Sequence, residues 1–258
     1  MQDLRIALVQ SDIAWESVPV NLEKFDGKLE TLRGLSDLIV LPEMFTTGFS
    51  MSPDALAEGM DGETVNWLKY QSEKADAAII GSVIISEDNN FYNRLLCVQP
   101  DDKIFNYDKK HLFSMAGEEK IYKPGNKKLI INWKGWRICP MICYDLRFPV
   151  WVRNRDEYDL LIFVASWPDR RIEHWRSLLL ARAIENQCYV MGVNRVGTDG
   201  NDVLYNGNSM VVSPAGDILW EAAKIETNGV LSLSYDDITR VRRYMPFLND
   251  RDDFRLES

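Results

Sequence analysis

Short apolar runs rich in Val, Ile and Leu recur along the whole chain, and longer stretches of helical character separate several of them. That alternation constrains the fold to a layered α/β arrangement, because a buried strand needs both faces covered and an amphipathic helix has one stripe to bury. Strands are expected at Ile6 to Val9, Leu38 to Leu41, Ala78 to Ile85, Leu95 to Val98 and Leu129 to Asn132. A second group is expected at Trp136 to Ile142, Leu160 to Ala165, Val190 to Asn194, Ser209 to Val212, Ile218 to Trp220 and Val230 to Leu233. From Asn21 to Leu35, the residues Leu22, Phe25, Leu29 and Leu32 recur at helical spacing among charges, which predicts a surface helix. His174 to Asn186 reads as a helix with a broader apolar face, and the chain from Arg240 onward as a short helix followed by an irregular arm. Pro214 to Asp217 supplies a turn between two strands. No linker or internal repeat interrupts the pattern, and 258 residues with 46% hydrophobic content are enough for one domain spanning 1–258.

Composition narrows the partners. A formal net charge of -9 argues against general attraction to nucleic acid or anionic lipid, which is mostly cationic, so a small molecule is the expected partner. No apolar run approaches the roughly 20 residues needed to span a bilayer, so no membrane association is expected. The start of the chain, with Asp3 and Arg5, does not read as a secretion signal, and the four cysteines show no disulfide-framework spacing. A cytoplasmic location is expected.

Several segments could carry chemistry. Glu43 follows the Val40 to Leu41 run and precedes an apolar loop. It reads either as a desolvated base at a strand end or as a solvated loop residue. Cys143 ends another apolar run ahead of a helix, a place where a thiol can meet backbone N–H groups able to bind an oxyanion; the alternative is a buried structural cysteine. That structural reading is the expectation for Cys97, Cys139 and Cys188. Tyr107 to Phe113 forms a basic cluster flanked by aromatics, with Glu118 and Glu119 beyond it, and such a run is ordinarily a solvated face. A papain-like Cys–His pair has only His111 and His174 to draw on; His111 reads as an oriented supporting residue and His174 as part of a helix start. Cys139 and Cys143 lack a second ligand pair, so no metal is expected, and without a glycine-rich phosphate loop no cofactor is expected either.

Taken together, Leu41-Pro42-Glu43-Met44-Phe45, Tyr107-Asp108-Lys109-Lys110-His111-Leu112-Phe113 and Ile142-Cys143-Tyr144-Asp145-Leu146-Arg147-Phe148-Pro149 resemble the nitrilase superfamily of carbon–nitrogen hydrolases. Later segments agree: Ala165-Ser166-Trp167-Pro168, Ala181 to Asn186, and Asn208-Ser209 before Pro214-Ala215-Gly216. The likeness covers nearly the whole chain. It implies an α/β fold built as a four-layer α-β-β-α sandwich, a homodimer, and a thiol mechanism with Cys143 as nucleophile. It also implies Glu43, Lys109 and Glu118 as the other catalytic groups and the Tyr144 N–H as an oxyanion donor. The family pattern selects Lys109 over Lys110 and Glu118 over Glu119. The Phe113-Ser114-Met115-Ala116 segment looks most like the omega-amidase branch, which hydrolyses the terminal amide of 2-oxoglutaramate or 2-oxosuccinamate. Rival readings are an N-carbamoyl amino acid amidohydrolase, a silent scaffold and a metal-dependent amidase. Arg147 is a candidate clamp for a distal carboxylate, because guanidinium pairs bidentately with it, unless it forms a structural ion pair with Asp145 or a neighbour. Trp167 and Phe49 are candidate pocket walls, against the plainer reading as core aromatics.

Overall fold

In the computed structural model, which describes residues 2–256, the chain begins β1 (Leu4–Gln10), α1 (Val18–Glu30), β2 (Leu38–Val40), α2 (Pro53–Leu56), α3 (Glu63–Ala75), β3 (Ala78–Glu87), β4 (Asn90–Val98) and β5 (Ile104–Asp108). It continues β6 (Ile131–Trp133), β7 (Trp136–Ile142), α4 (Pro149–Val152), β8 (Leu160–Ala165), α5 (Ile172–Asn186) and β9 (Tyr189–Asn194). The last elements are β10 (Val196–Thr198), β11 (Leu204–Asn206), β12 (Met210–Val212), β13 (Ile218–Glu221), β14 (Thr227–Leu233) and α6 (Tyr235–Tyr244).

Two six-stranded sheets result, in the orders β14-β1-β2-β3-β4-β5 and β13-β12-β9-β8-β7-β6, with β10 and β11 paired separately. The centres are parallel, β1-β2-β3 in one sheet and β7-β8-β9 in the other. Antiparallel strands flank each centre. The period of two along a strand sends alternate residues of the first sheet into different cores. Ile6, Leu8, Leu38, Val40 and Ile80 pack with Met141 and Phe163 of the second sheet. Their neighbours Ala7, Val9, Ile39, Leu41 and Ile79 pack with Phe25 and Leu29 of α1 and Leu68 of α3. Beyond the second sheet, Trp175 and Leu179 of α5 close over Gly192 of β9. Helix, sheet, sheet and helix therefore stack as the four-layer α-β-β-α sandwich that the resemblance implied.

Several boundaries differ from expectation. α1 starts at Val18, with Pro19 in its first turn where a fixed φ suits a helix start, and ends at Glu30 rather than Leu35. Leu32 stays buried, which carried the periodicity past the helix end, but the chain there tightens into shorter turns and reverses at Gly34, whose φ is +73°. The strand expected at Leu129 to Asn132 lies at Ile131–Trp133, and the helix expected from Arg240 already begins at Tyr235. α3 has no counterpart in the sequence reading: buried Thr64, Gln71 and Ser72 share its inner face with Val65 and Leu68 and weaken the apolar stripe. Tyr107 and Asp108, assigned to a basic cluster, end β5, paired with Leu95 and Arg94 of β4. Among the described residues no helix is long and apolar enough to cross a membrane.

The α5–β9 contact has no room to spare. A Cβ on Gly192 would lie 2.5 Å from the Trp175 ring and 2.6 Å from a Leu179 methyl. Gly192→Val is expected to destabilise the protein by about 2–3 kcal/mol through overpacking, measured by urea denaturation. A loss below about 0.5 kcal/mol, the scale of a neutral surface change, would contradict this close packing.

Candidate active site

Groups from four chain segments meet beyond the carboxyl ends of strands of both sheets, the usual location of ligand sites in open α/β sheets. Glu43 follows β2, Lys109 follows β5, Cys143 follows β7 and Ser166 follows β8. Glu43, Lys109 and Glu118 are almost wholly buried, at 0%, 1% and 0% exposure, which removes the solvated-loop readings of all three. Lys109 Nζ lies 2.8 Å from Glu43 Oε1 and 2.9 Å from Glu118 Oε2. Asn93 Nδ2 donates to Glu43 Oε1 at 2.8 Å and reaches Glu118 Oε1 at 3.2 Å, the Ser166 N–H donates to Glu43 Oε2 at 2.8 Å, and the Phe113 N–H donates to Glu118 at 2.5 Å. Every group bonded to Glu43 is thus a donor, so its carboxyl is arranged as an acceptor. Burial opposes the Lys109 charge, but Glu118 and Glu43 outweigh it and raise the lysine pKa, keeping it an ammonium. Burial likewise raises the Glu118 pKa, against the pull of Lys109.

The backbone of Lys109 is held as firmly as its side chain. Its N–H bonds Asn93 O at 3.0 Å, and its carbonyl accepts from Gly125 N at 2.9 Å. A Cβ on Gly125 would run into the Asp108 carbonyl, so the Pro124-Gly125 step needs its glycine for this close approach.

Cys143 has φ +42° and opens a 3₁₀ turn over Cys143–Arg147, a sharp strand-to-helix junction that the sequence predicted for a nucleophile. Asp145, fully buried, organises that junction. It accepts from Ile142 N at 3.1 Å, Tyr107 OH at 2.8 Å and His111 N at 3.0 Å, and its Oδ1 is 2.8 Å from His111 Nδ1. One carboxylate therefore ties the Cys143 turn to the segment carrying Lys109. His111, stacked 3.7 Å from the Phe148 ring, is the oriented supporting residue expected for it. Arg147 makes no ion pair with Asp145: its guanidinium lies 4.6 Å over the Trp167 ring and 3.3 Å from His174 Nδ1. His174 sits within the first turn of α5, near the helix start, as expected.

Of the four cysteines, Cys143 alone is partly exposed; Cys97, Cys139 and Cys188 are buried, and burial pushes the first two up to about 12. The Cys143 pKa is raised too, first by burial and then by the charge of Glu43, with Lys109 pulling it back. The thiol opens into a cavity of about 610 Å³. Glu43, Lys109 and Cys143 contribute to its lining, as do Phe49, Trp167, Arg147 and Tyr144. Phe49 also faces Lys109, with Nζ 5.1 Å from its ring centroid. Among the described residues no three His, Cys, Asp or Glu side chains gather as a metal-binding group.

Some contributors went unread. Asn93 sits mid-strand with no chemical signal, and Ser166 acts through its backbone, which any residue could supply. Arg171 reaches the cavity from the turn before α5, Asp199 from the loop between β10 and β11 and Tyr205 from β11, strands too short to show a pattern.

The carbon-nitrogen hydrolase family model matches residues 5–243. The chain belongs to that family, the nitrilase superfamily, and is an amidohydrolase acting on linear amides. Within it the chain falls in the omega-amidase branch. It is 46% identical to omega-amidase YafV of Escherichia coli strain K12 over 257 residues, covering 99% of this chain and 100% of the relative. It is 31% identical to the 2-oxoglutaramate amidase of Bacillus subtilis strain 168, covering 95% and 96%. A crystal structure of a CN-hydrolase superfamily protein from Xanthomonas campestris, with an arsenic adduct in its active site, superposes with a TM-score of 0.98 at 44% identity over 100% of both chains.

The raised thiol pKa sets a sign. Alkylation follows the thiolate, so iodoacetamide labelling of Cys143 should climb about tenfold per pH unit through neutrality and beyond the ordinary thiol range. Lys109→Met should slow labelling at fixed pH, because it removes the charge that favours the thiolate. Peptide mass spectrometry reads both, and a plateau at or below pH 8 would contradict the assigned electrostatics.

Proposed function

We propose that this protein hydrolyses the terminal amide of small 2-oxo acid monoamides, 2-oxoglutaramate and 2-oxosuccinamate, to the dicarboxylate and ammonia through a thioester on Cys143. The observation that carries the reading is the buried Glu43–Lys109–Glu118 cluster beside a partly exposed thiol, in a chain so similar end to end to omega-amidases. An arsenic adduct in the active site of the Xanthomonas campestris relative fits an accessible thiol there.

In this mechanism Glu43 accepts the Cys143 proton as sulfur attacks the amide carbon. Lys109 and the Tyr144 N–H stabilise the oxyanion; as a residue in the first turn of a 3₁₀ helix, Tyr144 has an N–H without an intrahelical acceptor. Glu43 then passes its proton to the departing nitrogen, the C–N bond breaks, and ammonia leaves a thioester. Glu43 next takes a proton from water, whose oxygen attacks the thioester carbon, and returns that proton to sulfur as the acid departs. Glu118 orients Lys109 by accepting its second hydrogen bond. Arg147, held flat on Trp167, takes the distal carboxylate, and Phe49 walls the pocket. The proposal extends to the whole of 1–258 as one catalytic domain, to a cytoplasmic setting that suits four free thiols, and to a homodimer. Exposed Ile184, Ile218 and Leu219 offer apolar area for such an interface.

Ammonia release from 2-oxoglutaramate, set against glutamine and an N-carbamoyl amino acid, tests the activity. Cys143→Ala should abolish it. Lys109→Met should lower kcat by about 100- to 1000-fold, the cost of one oxyanion donor. Quenched wild-type enzyme should carry an acyl adduct on the Cys143 peptide, and an adduct elsewhere or a preference for the carbamoyl compound would overturn the reading.

A further inference from the structure

Three arginines, Arg147, Arg170 and Arg171, reach the same cavity, and none forms a salt bridge among the described residues. Most other arginines that meet a partner do so through carboxylates, as Arg94 does with Asp108 and Arg176 with Glu221. Asp169, the nearest acid in sequence, is turned to Asn206 instead. Arg170 is exposed, so solvent answers its charge, whereas Arg171 is half-buried. Its guanidinium carbon lies 5.2 Å over the Phe113 ring, and its carbonyl accepts from Trp167 Nε1 at 2.8 Å. That carbonyl bond fixes its backbone to the ring on which Arg147 lies. Burial and the like charges of Arg170 and Arg147 depress the Arg171 pKa, a repulsion that an anion seated between them would relieve.

Resting on the proposed amidase reading of this cavity, we propose that Arg171 is a specificity-determining residue. Together with Arg147 it binds the carboxylate end of the substrate, and its charge turns away amides that carry an α-ammonium group. Phe113 carries the Arg171 guanidinium and Trp167 that of Arg147, and a guanidinium plane can offer paired N–H donors to a carboxylate. A 2-oxo acid monoamide brings a carboxylate and an uncharged carbonyl to this cationic wall. Glutamine brings the same carboxylate with a positive charge beside it, which the wall disfavours.

The test separates anion binding from turnover. In wild type, 2-oxoglutarate should protect Cys143 from iodoacetamide. In Arg171→Met the protecting concentration should rise by roughly 10- to 100-fold, the scale of a lost charge-assisted contact. Arg171→Lys, which keeps the charge but loses the fork, should fall between the two. The ratio of kcat/KM for 2-oxoglutaramate over glutamine should drop in Arg171→Met, chiefly through KM for the oxo acid. Circular dichroism and thermal melts verify that the variants are folded. Unchanged protection in folded Arg171→Met, or an unprotected wild type, overturns the proposal. Protection that depends on Arg171 in an enzyme that does not hydrolyse 2-oxoglutaramate upholds the anion site and removes the amidase reading alone.

Discussion

The contact between the Lys109 ammonium and two buried carboxylates is the constraint around which this molecule is arranged. Removing three charges from water costs several kcal/mol per ion unless each is paired and hydrogen-bonded, so the site exists only where the fold supplies every partner at once. Those partners come from far apart: Asn93 from the middle of β4, the Phe113 N–H from the loop after β5, and the Ser166 N–H from the end of β8 in the opposite sheet. The cluster is a place where the two sheets are locked together by polar bonds, beside a core that joins them through apolar packing. Burial first, and then the charge of Glu43, raise the pKa of the neighbouring Cys143 thiol, and Lys109 pulls it back.

The layered architecture explains how this is achieved. Parallel strands at the centre of each sheet end on the same side, so the residues after β2, β7 and β8 fall close together in space although they are far apart in sequence. Antiparallel strands at the flanks then add what the parallel centre cannot, above all Lys109 at the end of β5. Asp145 finishes the alignment by bonding the Cys143 turn to that same segment, so the thiol and the lysine share one support.

Much of this was legible in the sequence because strand burial and catalytic blocks leave strong signals. Val, Ile and Leu runs located the central strands to within a residue or two, since parallel strands are buried on both faces. The Glu43, Lys109 and Cys143 blocks were ambiguous singly and decisive as an ordered set. What escaped was whatever acts through geometry rather than residue type. Asn93 looks like any polar residue in a strand, and the Ser166 contribution belongs to the backbone. The inner face of α3 carries Gln71 and Ser72, which periodicity counts as solvent-facing, although Ser72 lies 2.7 Å from Ala77 O in the interior. Arg147 was read with an ion-pair alternative to Asp145 that sequence adjacency suggested, and the 3₁₀ turn points the two side chains apart.

The division of labour between strand ends and loops has a further implication. Glu43, Lys109 and Cys143 follow strands of the two sheets, whereas Arg170 and Arg171 stand on the approach to α5 and Asp199 and Tyr205 on the β10–β11 hairpin. Arg170, Asn201 and Val203 on those outer segments are not buried, so the rim of the cavity can change composition while the buried polar cluster beneath it keeps every partner.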